Sequence, residues 1–230
     1  MKNSLFVLGL LFIFTFTGYA QCNNPFYEFK EGTRLYMQNF DGNNKLQGKS
    51  ETYIKKVDKT STGYKAVVEM KVYDKDNKVL SEGEYGMECD NGTVKMDLSS
   101  LVPTKSLMAF GNMEIKMEMK EMEIPPDLHP GQKLKDASLT LSTVNSPIQI
   151  SMQIDMKNRV VEGKEKIETP AGSFDCYKLT YDMVMDFMMG STRMKNVQYI
   201  TKKFGAVRTE TYDSDGKLQS YTILEKIINP

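Results

Sequence analysis

The chain has 230 residues, 40% of them hydrophobic, and its 30 lysines and arginines are matched by 30 aspartates and glutamates. A near-neutral chain with no local Lys/Arg cluster lacks the electrostatic footprint of a nucleic-acid binder. The length suits one sizeable domain or two small ones, and with 17 methionines and no tryptophan much of any core must be filled by flexible thioethers.

Residues 1–20 read as a secretion signal peptide. Lys2 supplies the positive start, Leu5 to Phe16 the apolar run, and Gly18-Tyr19-Ala20 the small residues before a cut at Gln21. No later stretch approaches the ~18 apolar residues of a membrane span. Residues 21–230 are therefore expected to be a soluble exported domain, periplasmic or extracellular. Cys22 opens a rival reading, as the acylated first residue of a lipoprotein. Against it, Gln21 stands where a small residue would be expected.

From Gln21 to Gly32 the chain is irregular, with Pro25 and three aromatics, Phe26, Tyr27 and Phe29, that can tuck against a sheet. Strand patterns then follow. Three segments share one design: Phe40-Asp41 to Leu46, Tyr73-Asp74 to Val79, and Tyr212-Asp213 to Leu218. Each reads aromatic, Asp, three turn residues, Lys, aliphatic, which predicts three hairpin tips. Asp213-x-Asp215-Gly216 suggests calcium only superficially, because Leu224 stands where the loop's bidentate glutamate belongs. Strands are predicted over Leu46–Val57, Tyr64–Tyr73, Val79–Cys89 and Thr93–Leu98. Ser99–Phe110 breaks the alternation and fits a short helix or crossing loop, kept short by Pro103.

Met113 to Lys120 alternates strictly, and Glu121 slips the phase, as a β-bulge would. Pro125 to Gly131 reads as a rigid, exposed connection, followed by a strand candidate at Leu139–Val144. Ile148 to Met156 alternates again, with one apolar and one wet face. The charged run Arg159–Glu168 leads into Thr169-Pro170-Ala171-Gly172, where Pro170 fixes φ and Gly172 offers the positive φ of a type II turn. Beyond this corner Tyr181, Met183, Met185, Phe187 and Met189 alternate with Asp182, Val184, Asp186 and Met188, and further strands run to Ile228. The pattern predicts a single all-β domain over residues 21–230. About eleven antiparallel strands would form one large curved sheet closing into a barrel or half-barrel, with at most one short helix.

The run Thr169-Pro170-Ala171-Gly172-Ser173-Phe174-Asp175-Cys176, with the later Gly205-Ala206-Val207, resembles a group of exported bacterial β-proteins of unknown function. Cys22 and Cys89 also fit that pattern. The resemblance implies a curved antiparallel barrel like the bacterial lipoprotein carriers, and it brings no catalytic residue with it.

Catalysis finds little support. The one histidine, His129, sits in the stiff loop beside Pro130, and no nucleophile elbow, zinc-protease, dinucleotide or P-loop motif occurs. Carboxylates mostly alternate with apolar residues, as on a solvated sheet face. Neither an enzyme nor a cofactor nor a bound metal is expected. The cysteines lack C-x-x-C spacing. Cys22 has no strand to hold it and Cys89 lies beside a turn, so a Cys22–Cys89 disulfide is expected, with Cys176 reduced and buried.

The methionines admit three readings: a Cu(I) site, a packed core, or an adaptable lining for an apolar ligand. Met113, Ile115, Met117, Met119, Ile150, Met152, Ile154, Met183, Met185 and Phe187 are the candidate lining. The function expected is a non-enzymatic envelope protein holding a lipid or other apolar molecule. The alternative is a structural module with a filled core that recognises an envelope protein partner.

Overall fold

The computed structural model describes residues 22–98, 114–146, 149–187 and 190–230. The signal peptide, the Ser99–Phe110 segment, Met113 and Ile148 lie outside the described residues. Strands β1 (Arg34–Asp41), β2 (Leu46–Lys59), β3 (Gly63–Asp74), β4 (Val79–Asp90) and β5 (Thr93–Met96) run in antiparallel succession. They are followed by β6 (Glu114–Lys120), β7 (Met122–Ile124), β8 (Ala137–Val144) and β9 (Ser151–Thr169). The series ends with β10 (Gly172–Phe187), β11 (Gly190–Thr201), β12 (Gly205–Tyr212) and β13 (Leu218–Ile228). Among the described residues there is no α-helix. The all-β expectation holds, with thirteen strand elements instead of about eleven.

All thirteen lie in one sheet, ordered β6-β8-β9-β10-β11-β12-β13-β1-β2-β3-β4-β5-β7. The two sheet edges, β6 and β7, are successive pieces of one extended stretch separated by Glu121. β6 pairs with β8 and β7 with β5, so this stretch leaves one edge and joins the other, and the sheet rolls into a nearly closed barrel. The phase slip at Glu121 is thus a change of partner, not the expected bulge within one pair. True bulges occur elsewhere: shifts at Lys178/Leu179 and Thr180/Asp182 bend the long β9–β10 hairpin.

Alternation sets the burial. On β8, Ala137, Leu139, Leu141 and Thr143 are buried and their neighbours only half-buried, as a period of two dictates when one face meets the core. The thioether-rich core forms three clusters, the largest around Val68, Val94, Ile124, Val161 and Ile200.

The three repeated tips sit side by side at one end of the barrel, on the neighbouring hairpins β12–β13, β1–β2 and β3–β4. In each, one Asp oxygen accepts two backbone N–H groups, for instance Asp76 N at 2.9 Å and Lys78 N at 2.8 Å from Asp74 Oδ1. Asn44, Asn77 and Gly216 occupy the same place with φ of 63°, 63° and 79°, which explains the Asn or Gly there. Asp213 Oδ1 takes Asp215 N and Lys217 N, and its Oδ2 takes the Gln219 amide. These carboxylates are engaged in holding the turn. Asp74→Ala is expected to cost about 1 kcal/mol, the usual value of a lost side-chain cap, measurable by urea denaturation.

At the opposite end, Pro170 and Ala171 link β9 to β10. The positive φ falls on Gly172 (131°), as expected, although with Ala171 between it and Pro170 the turn is not a type II.

Candidate binding cavity

The end of the barrel opposite the Asp tips is stoppered by the chain's own start. Residues 22–32 cross it, anchored by Glu28 N to Lys203 O (3.0 Å), Lys203 N to Pro25 O (2.8 Å) and Gly205 N to Phe26 O (2.8 Å). Asn24 Nδ2 donates to Gly92 O and Ile124 O, at 2.9 and 3.0 Å. Phe26 is buried edge-on to Tyr177, with ring centroids 5.5 Å apart. Gly205 has φ of 68° and lies directly under Tyr27: a Cβ there would come within 2.4 Å of the Tyr27 ring. The Cys22–Cys89 disulfide ties this stopper to β4, with Cα atoms 5.7 Å apart, and Cys176 is free and buried; both match the expectation. The Pro125–Gly131 connection departs from it, because Leu128 is buried in the core.

Behind the stopper lies a cavity of about 320 Å³. Five methionines line it: Met37, Met70, Met87, Met96 and Met122. Leu35, Ile54, Val68 and Phe204 add to the apolar wall; Glu28, Thr33, Ser50, Thr52, Gln198, Lys203 and Thr209 bring polar and charged groups to it. Tyr27, from the stopper, and Tyr85, from β4, also line it.

None of the described candidate lining residues lines this cavity. Met152 and Ile154 are buried in a second cluster with Leu139, Leu141 and Tyr181, and Ile115, Met119, Ile150, Met183 and Met185 pack against it. Met117 and Phe187 are 47% and 42% exposed. The sequence reading therefore pointed mostly to a packed cluster and not to the residues of this cavity. A signal for the latter was present in Leu35/Met37, Val68/Met70 and Tyr85/Met87, each an alternate pair on a strand. The polar Ser50 and Thr52 between them obscured it.

Arg159 is the unforeseen polar element. It is only 3% exposed, and it stands at the β9 bulge opposite Tyr181. Its Nη1 donates to Lys135 O (2.6 Å) and its Nη2 to Glu123 O (3.1 Å). It thereby bridges β7 to the segment before β8, where no strand pairing is made. Burial pulls its pKa below the usual guanidinium range, against the opposing pull of Tyr181 and Tyr27. Burial also pushes the phenols of Tyr85 and Tyr181 up to about 12. These tyrosines stay neutral in the folded protein while their unfolded counterparts ionise near pH 10. The folded state then holds more protons than the unfolded one, so stability is full below pH 10 and is lost as pH rises through 12. Urea midpoints between pH 9 and 12 check this decline.

Among the described residues no group of three His, Cys, Asp or Glu side chains is placed to hold a metal ion, and no helix is long and apolar enough to cross a membrane.

A protein-family model described as DUF3108-like matches residues 30–224. Two crystal structures share the fold. One is of a protein described as exported, with a YmcC-like fold, from Bacteroides fragilis: TM-score 0.73 and 22% identity, over 90% of this chain and 100% of the other. The second is of a protein described as a lipoprotein from Parabacteroides distasonis: TM-score 0.72 and 21% identity, over 89% and 99%. No curated protein matches.

Proposed function

Because the chain belongs to the DUF3108-like family, and its fold is that of bacterial proteins described as exported or as lipoproteins, we propose that it is a non-enzymatic envelope protein that holds an apolar ligand inside its barrel. One observation carries this reading: the cavity of about 320 Å³ with its five methionines. Barrels of about eight strands are filled by their own side chains; this one has thirteen strand elements, and binding sites begin at about 300 Å³. Methionine is the side chain best suited to reshaping around chains of differing form. Unfilled volume of this size forfeits dispersion contacts along its apolar wall, and a bound chain restores them.

The sulfur of Cys22, engaged with Cys89, is closed to the thioether linkage of a lipoprotein. In this reading the protein acts without a lipid tether at Cys22. Native mass spectrometry of protein purified from its own envelope, followed by lipid extraction, tests the reading. A co-purifying apolar molecule, or uptake of a fluorescent acyl probe by the folded protein, supports it. If neither is found the cavity is empty in use, and recognition of a protein partner takes its place.

A further inference from the structure

The wall of the cavity has two different sides. In the strand order β11-β12-β13-β1-β2-β3-β4-β5-β7, its aliphatic hydroxyls and its carboxamide fall in the first part. Gln198 stands on β11, Thr209 on β12, Thr33 just ahead of β1, and Ser50 and Thr52 on β2. Gln198 and Thr209 are direct cross-strand partners, and β1 places Leu35 and Met37 between them and β2. The second part, β3 to β7, presents Met70, Met87, Met96 and Met122. The last three form one unbroken row, because Met96 is the register partner of both Met87 and Met122. Among the described residues, Tyr85 brings the one hydroxyl on this side.

The polar side is unsatisfied. Among the described residues, the side chains of Ser50, Thr52, Gln198 and Thr209 neither donate to nor accept from another protein group. An unsubstituted chain laid against them would strip their water and return nothing, a loss of roughly tenfold in affinity for each group. Charge is confined to the mouth. Glu28 and Lys203 are the charged residues among the described lining, opposite in sign and both exposed. They are joined by the bond from Glu28 N to Lys203 O at 3.0 Å, beside the stopper. The wall behind them is uncharged, and a neutral molecule suits it.

We propose that the ligand is a neutral fused-ring molecule, apolar along one edge and carrying hydroxyl or carbonyl groups along the other. Its polar edge faces Ser50, Thr52, Thr209 and Gln198, and its apolar edge lies on the methionine row. This rests on the carrier reading above and gives it a ligand class. Rigidity favours rings over a substituted chain, since a ring system holds its polar groups on a fixed edge and loses fewer rotamers on seating. Thioether sulfur also makes favourable contacts with the edges of aromatic rings. The cavity of about 320 Å³ is about twice the ~150 Å³ void that accommodates one benzene, which corresponds to about two or three fused rings.

Three probes separate the levels of the claim. Naphthalene has no polar group. 2,7-Dihydroxynaphthalene carries both hydroxyls toward one long edge, and its 2,6 isomer carries them on opposite edges. The isomers match in volume and composition, and at pH 7 their phenols are neutral. Fluorescence titration of the mature protein is expected to show the 2,7 isomer binding roughly fivefold more tightly than the 2,6 isomer, and roughly tenfold or more above naphthalene. Equal binding of the two isomers would overturn the two-sided site while leaving an apolar carrier standing. No binding of any probe would overturn both. The double variant Thr52→Val with Thr209→Val removes two hydroxyls from the polar side. Strands favour β-branched residues at such positions, and neither hydroxyl holds another protein group among the described residues. The variant should bring the 2,7 isomer down to the level of the 2,6 isomer and leave naphthalene no weaker; a uniform loss for all three probes counts against the proposal. Should it not fold, Ser50→Ala alone is expected to narrow the difference between the isomers, and an unchanged difference counts against the proposal.

Discussion

Replacing Cys22 with Ser is expected to lower the unfolding free energy by about 4 kcal/mol. The Cys22–Cys89 bond closes a loop with a sequence separation of 67, and in the chain-entropy model a loop of that length restrains the unfolded chain by roughly that amount. For a chain of this size the loss corresponds to a fall in Tm of about 8–16 °C. The local consequences point the same way. Cys22 stands two residues before Asn24, whose amide joins the β4–β5 turn to the end of β7, and four before Phe26 in the core. Releasing the sulfur loosens the stopper over the cavity. Urea denaturation of the variant against the wild type measures the difference, and a change below about 1 kcal/mol would mean that the stopper's other contacts hold it unaided. Peptide mapping without reduction provides the companion result: Cys22 joined to Cys89, and Cys176 a free thiol. Burial pushes the Cys176 thiol up to about 11, so at pH 8 it presents almost no thiolate and should resist alkylation until the chain unfolds. A bridge containing Cys176 would contradict the assignment.

What could be read in the sequence was what depends on near neighbours. The three Asp-to-Lys tips were legible because each is satisfied within five residues: the Asp oxygen, the two N–H groups and the residue with positive φ all lie in the same short segment. Strand faces were legible for the same reason. Closure was not. A one-residue change of phase at Glu121 looks the same in sequence whether the strand bulges against one partner or passes from β8 to β5. The cavity was hidden for a related reason. Period-two alternation shows that Met152 and Met70 both occupy apolar positions, but not that the first is buried in the Leu139 cluster while the second lines the cavity. A void is fixed by distances between strands far apart in the chain. Arg159 was lost inside the charged run 159–168, because the register shift between Thr180 and Asp182 turns it inward against the simple alternation.

Arg159→Met is expected to destabilise the protein by about 3–5 kcal/mol. Among the described residues β7 has a strand partner only in β5, and β6 only in β8, so the barrel wall between β7 and residues 133–136 is held there by something other than a ladder. The guanidinium provides it, donating to Glu123 O on one side and Lys135 O on the other. Hydrogen bonds from a charged donor contribute about 1.5–3 kcal/mol each, and both carbonyls would be left without this donor in a buried setting. Methionine retains much of the side-chain volume, so the effect reports the lost bonds and not a cavity. Arg159→Lys should fall between the two, since one ammonium on a shorter stem cannot span both carbonyls as a planar fork does. Hydrogen exchange gives the loss a location. Amides of β5 and β7 around the seam should lose protection in Arg159→Met well before those of the β9–β10 hairpin, which opens only with the whole barrel. A variant as stable as the wild type within about 1 kcal/mol, with protection unchanged at Val94 to Met96, would show that the seam closes without the guanidinium.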